Sequence, residues 1–236
     1  MREVHSEEIT KNIKEMCIEA NHFLSPDMKK VFDNARKNEK SPLGCQILEQ
    51  LDENLKIAGE DMIPICQDTG MAVVFIEIGQ DVHIVGENIE DAGENVKITI
   101  APKGFGSENM SRVCMLKPAD GIEGVKNAVL TAVKDAGPNA CPPMVVGVGV
   151  GGTFEKCAIL AKKALARPAD SSSTIPYVKE MEEELLTKIN KLGIGPGGLG
   201  GTQTALAVNV ETYPTHIAGL PVAINICCHV NRHVTR

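Results

Sequence analysis

The chain has 236 residues, 43% hydrophobic and 23% charged, with a formal net charge of −7. That is long enough to bury a substantial core and ordinary for a soluble globular protein. Aromatics make up 3% with no Trp, which excludes a base-stacking platform, and the negative charge argues against a phosphate-backbone partner.

The N-terminus has no hydrophobic signal core, and no apolar run approaches spanning length. The expectation is a cytoplasmic protein whose eight cysteines stay reduced. No C-x-x-C pair is present, which removes the zinc-ribbon and thioredoxin readings.

Residues 1–60 read as a helical layer. Ile9, Ile13, Met16 or Cys17, and Ala20 recur at helical spacing. Ser25-Pro26 and Ser41-Pro42 each suit an N-cap followed by the first helical residue. Leu43, Ile47, Leu51 and Leu55 form a stripe ending near Gly59. Cys17 and Cys45 read as core packing.

Ile63-Pro-Ile-Cys-Gln-Asp-Thr-Gly70 follows, a turn placing Cys66 two residues from Asp68. Its bland reading is a loop with a buried thiol, local Asp68 and Thr69 hydrogen bonds, and a positive φ at Gly70. Its functional reading requires other cysteines to converge on Cys66. Met71–Gly79 and Val82–Gly86 read as strands, the first apolar enough to be covered on both faces. Val96–Ala101 is a third strand, running into Pro102-Lys-Gly-Phe-Gly-Ser-Glu-Asn109. Such a loop offers backbone N–H groups to an anion or simply turns at the surface.

Asp120 is placed to cap a helix carrying Ile122, Val125, Val129 and Val133, which stops at Gly137. In Gly137-Pro-Asn-Ala-Cys-Pro-Pro143, two prolines stiffen the backbone after Cys141. Met144–Val150 is an apolar strand before a helix with Phe154, Cys157, Ala161 and Leu165. Gly147, Gly149 and Gly152 formally match G-x-G-x-x-G. The acidic residue a dinucleotide fold places on a second strand is missing, since Asp170 lies in a Ser-rich loop. Thr153 reads as a helix cap, and the glycines as points of close backbone approach.

A helix over Tyr177–Leu192 precedes the Gly-rich segment 193–201, which lacks the Gly-Lys-Ser/Thr ending of a phosphate loop. Ala205–Val210 and Val222–Cys227 are the last strands, with His216 between them and Cys227-Cys228-His229 at the end. Neighbouring strand residues face opposite sides, so only one of Cys227 and Cys228 can share a site with Cys66 and Cys141. The whole reads as a mixed α/β chain, a helical layer followed by interleaved strands and helices around a mixed sheet, in one domain over 1–236. Three thiolates from separate segments suit an iron–sulfur cluster with one open iron; zinc or no metal also fits the spacing.

Ile-Cys-Gln-Asp-Thr-Gly, Lys103-Gly-Phe-Gly-Ser-Glu-Asn, Asn139-Ala-Cys-Pro-Pro, Gly151-Gly-Thr and the His216…Cys228 segment together resemble class I fumarate hydratase. The likeness is closest to the α subunit of its two-subunit form, whose pattern the L-tartrate dehydratase α subunit shares. The resemblance implies a 4Fe–4S cluster on Cys66, Cys141 and Cys228. It implies catalytic roles for Asp68 and His216, and substrate contacts from Gln67, Asp68, Lys103, Gly106, Ser107 and His216. The implied reaction is reversible hydration of fumarate to (S)-malate, as in the tricarboxylic acid cycle. The implied partner is a β subunit, in a heterotetramer, carrying the proposed base and further cationic groups.

Tartrate dehydration and a non-catalytic iron–sulfur scaffold are the alternatives. Within this chain Lys103, Arg112 and His216 are the cation candidates for a dianionic substrate, and the isolated chain is expected to be inactive. One departure stands out. The family carries a longer segment with a substrate-contacting arginine where this sequence has only Ile89-Glu-Asp-Ala-Gly-Glu-Asn95 between two strands.

Overall fold

A computed structural model describes residues 2–69, 71–85 and 96–236. The expected positive φ at Gly70 and the short 89–95 connection lie outside the described residues.

The helical layer holds α1 (Ser6–His22), α2 (Pro26–Asn38) and α3 (Pro42–Asp61). The Ser41 hydroxyl caps α3 by accepting from Gly44 N. Ser25 precedes Pro26 but caps nothing; its hydroxyl lies 3.4 Å from His233 Nε2. A short strand missed in the sequence, β1 (Arg2–His5), runs before α1 and pairs in parallel with β3 (Val82–Val85). It is too short and polar for periodicity to reveal.

Among the described residues the strands form three sheets rather than one. β2 (Met71–Ile78), β4 (Val96–Lys103) and β9 (Val234–Thr235) make an antiparallel sheet. Val4 of β1, Ile9 and Met16 of α1, Val82 of β3, and Ile98 and Ile100 of β4 form its core. The expectation that β2 is covered on both faces is corrected. Met71 is 60% and Val74 38% exposed, and among the described residues β2 pairs only with β4. An apolar run shows that a strand can be buried, but not that a second layer exists to bury it.

The main sheet is mixed, in the order β5-β8-β6-β7. It comprises β5 (Arg112–Leu116), β8 (Leu220–Cys227), β6 (Met144–Gly151) and β7 (Ala205–Tyr213). β6 runs parallel to β7 and antiparallel to β8, with Val145 opposite Cys227 and Gly151 opposite Tyr213. α5 (Gly121–Ala136) and α7 (Pro176–Asn190) cover one face through Val125, Val129, Leu185 and Ile189 against Val146, Val148, Ile224 and Ile226. α6 (Phe154–Ala166) covers the other.

The glycines of β6 are what bring α6 so close. A Cβ on Gly147 would lie 2.3 Å from Ala161 O, and one on Gly149 would lie 2.0 Å from Cys157 O. The G-x-G-x-x-G match is therefore a helix-on-sheet contact, and Thr153 caps α6 by accepting from Lys156 N.

Candidate active site

The cysteine-bearing segments meet at one end of the main sheet. Cys141 lies just before β6 and Cys228 just after the antiparallel β8, so the sheet register alone places both at the same end. Cys66, on the turn after α3, packs together with Cys228 against Ala58, Ile65 and Val230. Cys227 instead enters the core beside Met28, Val145 and Leu165. Cys66 and Cys228 are half-buried and Cys141 exposed, whereas Cys157 and Cys227 are buried. Among the described residues, no three His, Cys, Asp or Glu side chains gather closely enough to hold a single metal ion.

Hydrogen bonds tie the segments to one another. Phe105 N donates to Asp68 Oδ2 at 2.9 Å, joining the Cys66 turn to α4 (Phe105–Glu108). Gly104 must be glycine for this approach, because a Cβ there would lie 2.9 Å from the same oxygen. Arg232 Nη2 donates to Asp68 O at 2.9 Å and Nη1 to Asn21 Oδ1 at 2.7 Å. His229 Nδ1 donates to Cys141 O at 3.2 Å, tying the segment after Cys228 to the Cys141 loop. Burial pushes the His229 imidazolium down, so the ring is neutral with its proton on Nδ1.

The Cys141 loop is buttressed from behind. Cys141 adopts φ 50°, a left-handed conformation uncommon for a non-glycine residue. Such conformations persist where the surroundings over-determine them, and they cluster at functional sites. Pro142 O accepts from Gly197 N at 2.8 Å, and Gly198 packs so closely that a Cβ would lie 2.2 Å from Pro138 Cβ. The Gly-rich loop is itself wrapped around Glu39. That buried carboxylate accepts from the backbone N–H groups of Lys40, Ser41, Thr202 and Gln203.

The substrate-contact candidates fall into three groups. Gln67 and Gly106 are exposed and Asp68 is half-buried, all beside the cysteine end. Nothing lies within 4 Å of where a Gly106 Cβ would stand, so the backbone there faces open space. Lys103 and Ser107 are turned inward, 3% and 5% exposed. The Lys103 ammonium donates to Asn231 Oδ1 and to Arg232 O.

His216 is elsewhere. It sits in the exposed turn before β8, and its Nδ1 accepts from Ala218 N at 3.2 Å. The eight residues of β8 separate it from Cys228, a span of roughly 24 Å at the usual strand rise. Thr215 donates to Gly152 O at 2.8 Å, holding this turn to the far end of β6. Of the other cation candidates, Arg112 is engaged by Asp135 at 2.7 Å.

Sequence reasoning used the polar segment ending in Arg232 to favour Cys228 but gave no site role to His229, Asn231 or Arg232, the last two buried. The only signal available was a polar run, His229-Val-Asn-Arg-His233, directly after the third cysteine. Near it the Cys227 and Cys228 thiols, neighbours in the chain, act on one another's ionisation. The influence of Cys228, opposed by burial and aided by the Lys103 and Arg232 charges, draws Cys227 down to about 6. The influence of Cys227, with burial, pushes Cys228 well up.

The sequence profile of the fumarate hydratase (Fumerase) family matches residues 10–93 and 89–236. The two pieces meet at the short connection between β3 and β4. A Methanocaldococcus jannaschii protein named provisionally as an L(+)-tartrate dehydratase subunit alpha is 38% identical, covering 95% of each chain. That alignment runs over 271 positions for a chain of 236 residues, so the relative has residues with no counterpart here. The L(+)-tartrate dehydratase subunit alpha of Escherichia coli K12 is 28% identical, covering 84% of this chain and 80% of its own. With a family profile spanning nearly its whole length, and α subunits of tartrate dehydratase among its relatives, the chain belongs to the fumarate hydratase family of hydro-lyases.

Proposed function

We propose that this chain is the cluster-bearing α subunit of a hydro-lyase that hydrates fumarate to (S)-malate reversibly, with Cys66, Cys141 and Cys228 holding a 4Fe–4S centre. The observation that carries this reading is the hydrogen-bonded linkage of the Cys66, Lys103–Ser107, Cys141 and Cys228 segments at one end of the main sheet. The donor set also fits. Cys66, Cys141 and Cys228 are each at least partly exposed, unlike Cys157 and Cys227, and three thiolates suit a polynuclear iron–sulfur group.

When bound, the centre supplies Lewis acidity to substrate oxygens. The protein's own part begins with Asp68. Its Oδ2 is held by Phe105 N, while Oδ1 has no protein partner among the described residues. That oxygen is the one free to accept or return the proton of the water or hydroxyl group. The exposed Gln67 amide and the open Gly106 backbone orient substrate carboxylates. A dianion needs positive charge around it, yet Lys103 is turned inward and Arg112 is paired. A β subunit supplies those cations and the base that removes the C3 proton. His216 serves a substrate site only where another chain presents it.

The names of the relatives favour a second reading, dehydration of L(+)-tartrate by the same site. The test is anaerobic purification of the chain with its co-expressed β subunit, iron and sulfide analysis, and assay on fumarate, malate and tartrate. Iron and sulfide that vanish in Cys66→Ser, Cys141→Ser and Cys228→Ser, but persist in Cys157→Ser, support the ligand set. Turnover of tartrate without fumarate selects the second reading. A full cluster with no turnover of any of the three selects a scaffold.

A further inference from the structure

Two basic side chains are buried beneath the cysteine end with no carboxylate beside them among the described residues, and burial pulls the Lys103 ammonium down from its ordinary value. Lys103 is 3% exposed and Arg232 2%. Among the described residues, neither forms an ion pair with Asp or Glu. The Lys103 ammonium meets only Asn231 Oδ1 and Arg232 O, both neutral acceptors. Among the described residues the Arg232 guanidinium meets only Asn21 Oδ1 and the Asp68 backbone carbonyl, and its buried Nε has no partner. Other buried ionic groups among the described residues are satisfied within the chain, and Glu39 is held by backbone N–H groups. Glu182 pairs with Arg167, and Asp27 pairs with His233.

A buried charge without a counter-charge costs several kcal/mol after relaxation, so two adjacent ones call for negative charge close by, of which the Cys227 thiol, drawn down to about 6, supplies part. The geometry points to where the rest belongs. Asn231, which holds Lys103, also donates to Leu165 O and contacts Met28. Those are the residues against which Cys227 packs, one position before Cys228. Arg232 reaches the backbone of Asp68, two residues after Cys66. The cations therefore sit behind two of the three cysteine segments.

We propose that Lys103 and Arg232 are the fixed counter-charges of an anionic, thiolate-ligated centre at Cys66, Cys141 and Cys228, which retain it and set its reduction potential. This rests on the cluster reading above and adds the residues that balance its charge. Lys103 on this view is a positioning and electrostatic residue, not a substrate contact. Removing a nearby positive charge disfavours the reduced, more negative state of the centre, so its potential falls.

The test compares wild type, Lys103→Gln, Lys103→Arg and the exposed-lysine control Lys97→Gln. All are purified anaerobically as the full chain with whatever subunit accompanies it. Iron and sulfide per chain, the rate of iron loss to a chelator, and the reduction potential by EPR-monitored titration are measured. Urea unfolding of each cluster-free chain is followed alongside.

The expected result is a more negative potential and at least tenfold faster iron loss in Lys103→Gln. Lys103→Arg and Lys97→Gln should stay near wild type, and cluster-free Lys103→Gln should be no less stable than wild type. Unchanged potential and iron loss in Lys103→Gln overturn the counter-charge role while leaving the cluster reading intact. A cluster-free Lys103→Gln that is unfolded or strongly destabilised assigns Lys103 a purely structural hydrogen-bonding role and overturns it too. Wild type that takes up neither iron nor sulfide overturns the cluster reading, and this proposal with it.

Discussion

Arg232 Nη2 holds the backbone carbonyl of Asp68 at 2.9 Å, across 164 residues of sequence. The contact fixes the height of the Cys66–Asp68 turn, and Phe105 N fixes the direction of the Asp68 carboxylate. Asp68→Asn keeps the shape and loses the charge proposed to accept a proton. Turnover should fall about 10²–10⁴-fold, the usual contribution of a positioned acid–base group, with iron content unchanged. Near-normal turnover in that variant removes Asp68 from proton transfer.

Glu39 gives a pH signature. Burial opposes its ionisation, but the backbone N–H groups of Ser41, Thr202, Gln203 and Lys40 outweigh this and hold its carboxyl below the ordinary value. A carboxyl lowered by folding contributes stability above its unfolded value, near pH 4.3, and loses it as pH falls toward the folded value. Glu39→Gln should cost about 2–3 kcal/mol at neutral pH, the range for hydrogen bonds to a charged group. That gap should shrink in acid, as urea titrations at neutral and acid pH will register. A cost independent of pH contradicts this account.

Gly147 and Gly149 are set by the approach of α6. With a Cβ 2.3 Å from Ala161 O or 2.0 Å from Cys157 O, the obstacle is backbone that cannot rotate away. Gly147→Ala and Gly149→Ala should each destabilise by about 3 kcal/mol, the upper range for overpacking, read as a lower denaturation midpoint. A dinucleotide added to wild type should give no thermal shift.

His216 and Cys228 stand at opposite ends of β8. A role for His216 at a substrate site therefore crosses a chain boundary. His216→Ala should leave iron content at the wild-type level. Subunits carrying Asp68→Asn and subunits carrying His216→Ala should each be inactive, and mixing them by dissociation and reassembly should restore part of the turnover. A mixture as inactive as its parents removes His216 from that role.

Much of the layout could be read from the chain itself. The helices of residues 1–60 and the strands Met144–Val150 and Val222–Cys227 follow from apolar periodicity, which depends only on local geometry. The split into three sheets did not follow, because which strands pair is a long-range choice. β5 was missed outright: Arg112–Leu116 is short and mostly exposed, and it becomes a strand by pairing with β8. Lys103 illustrates the same limit at the site. The sequence places a lysine in a Gly-rich loop, but whether its ammonium faces a ligand or Asn231 depends on a segment 128 residues away.

By itself, the sequence determined the family, the three candidate cysteines with Asp68, and the alternation of helices and strands, since motifs and periodicity are local. Only the tertiary structure decided that Cys228 rather than Cys227 shares an apolar cluster with Cys66. It alone showed that His216 lies a strand's length from the cysteines, and that Lys103 and Arg232 are buried without carboxylates. The physical reason is that burial, pairing and the end of a sheet at which a residue emerges are properties of packed neighbours. Those neighbours here come from opposite ends of the chain.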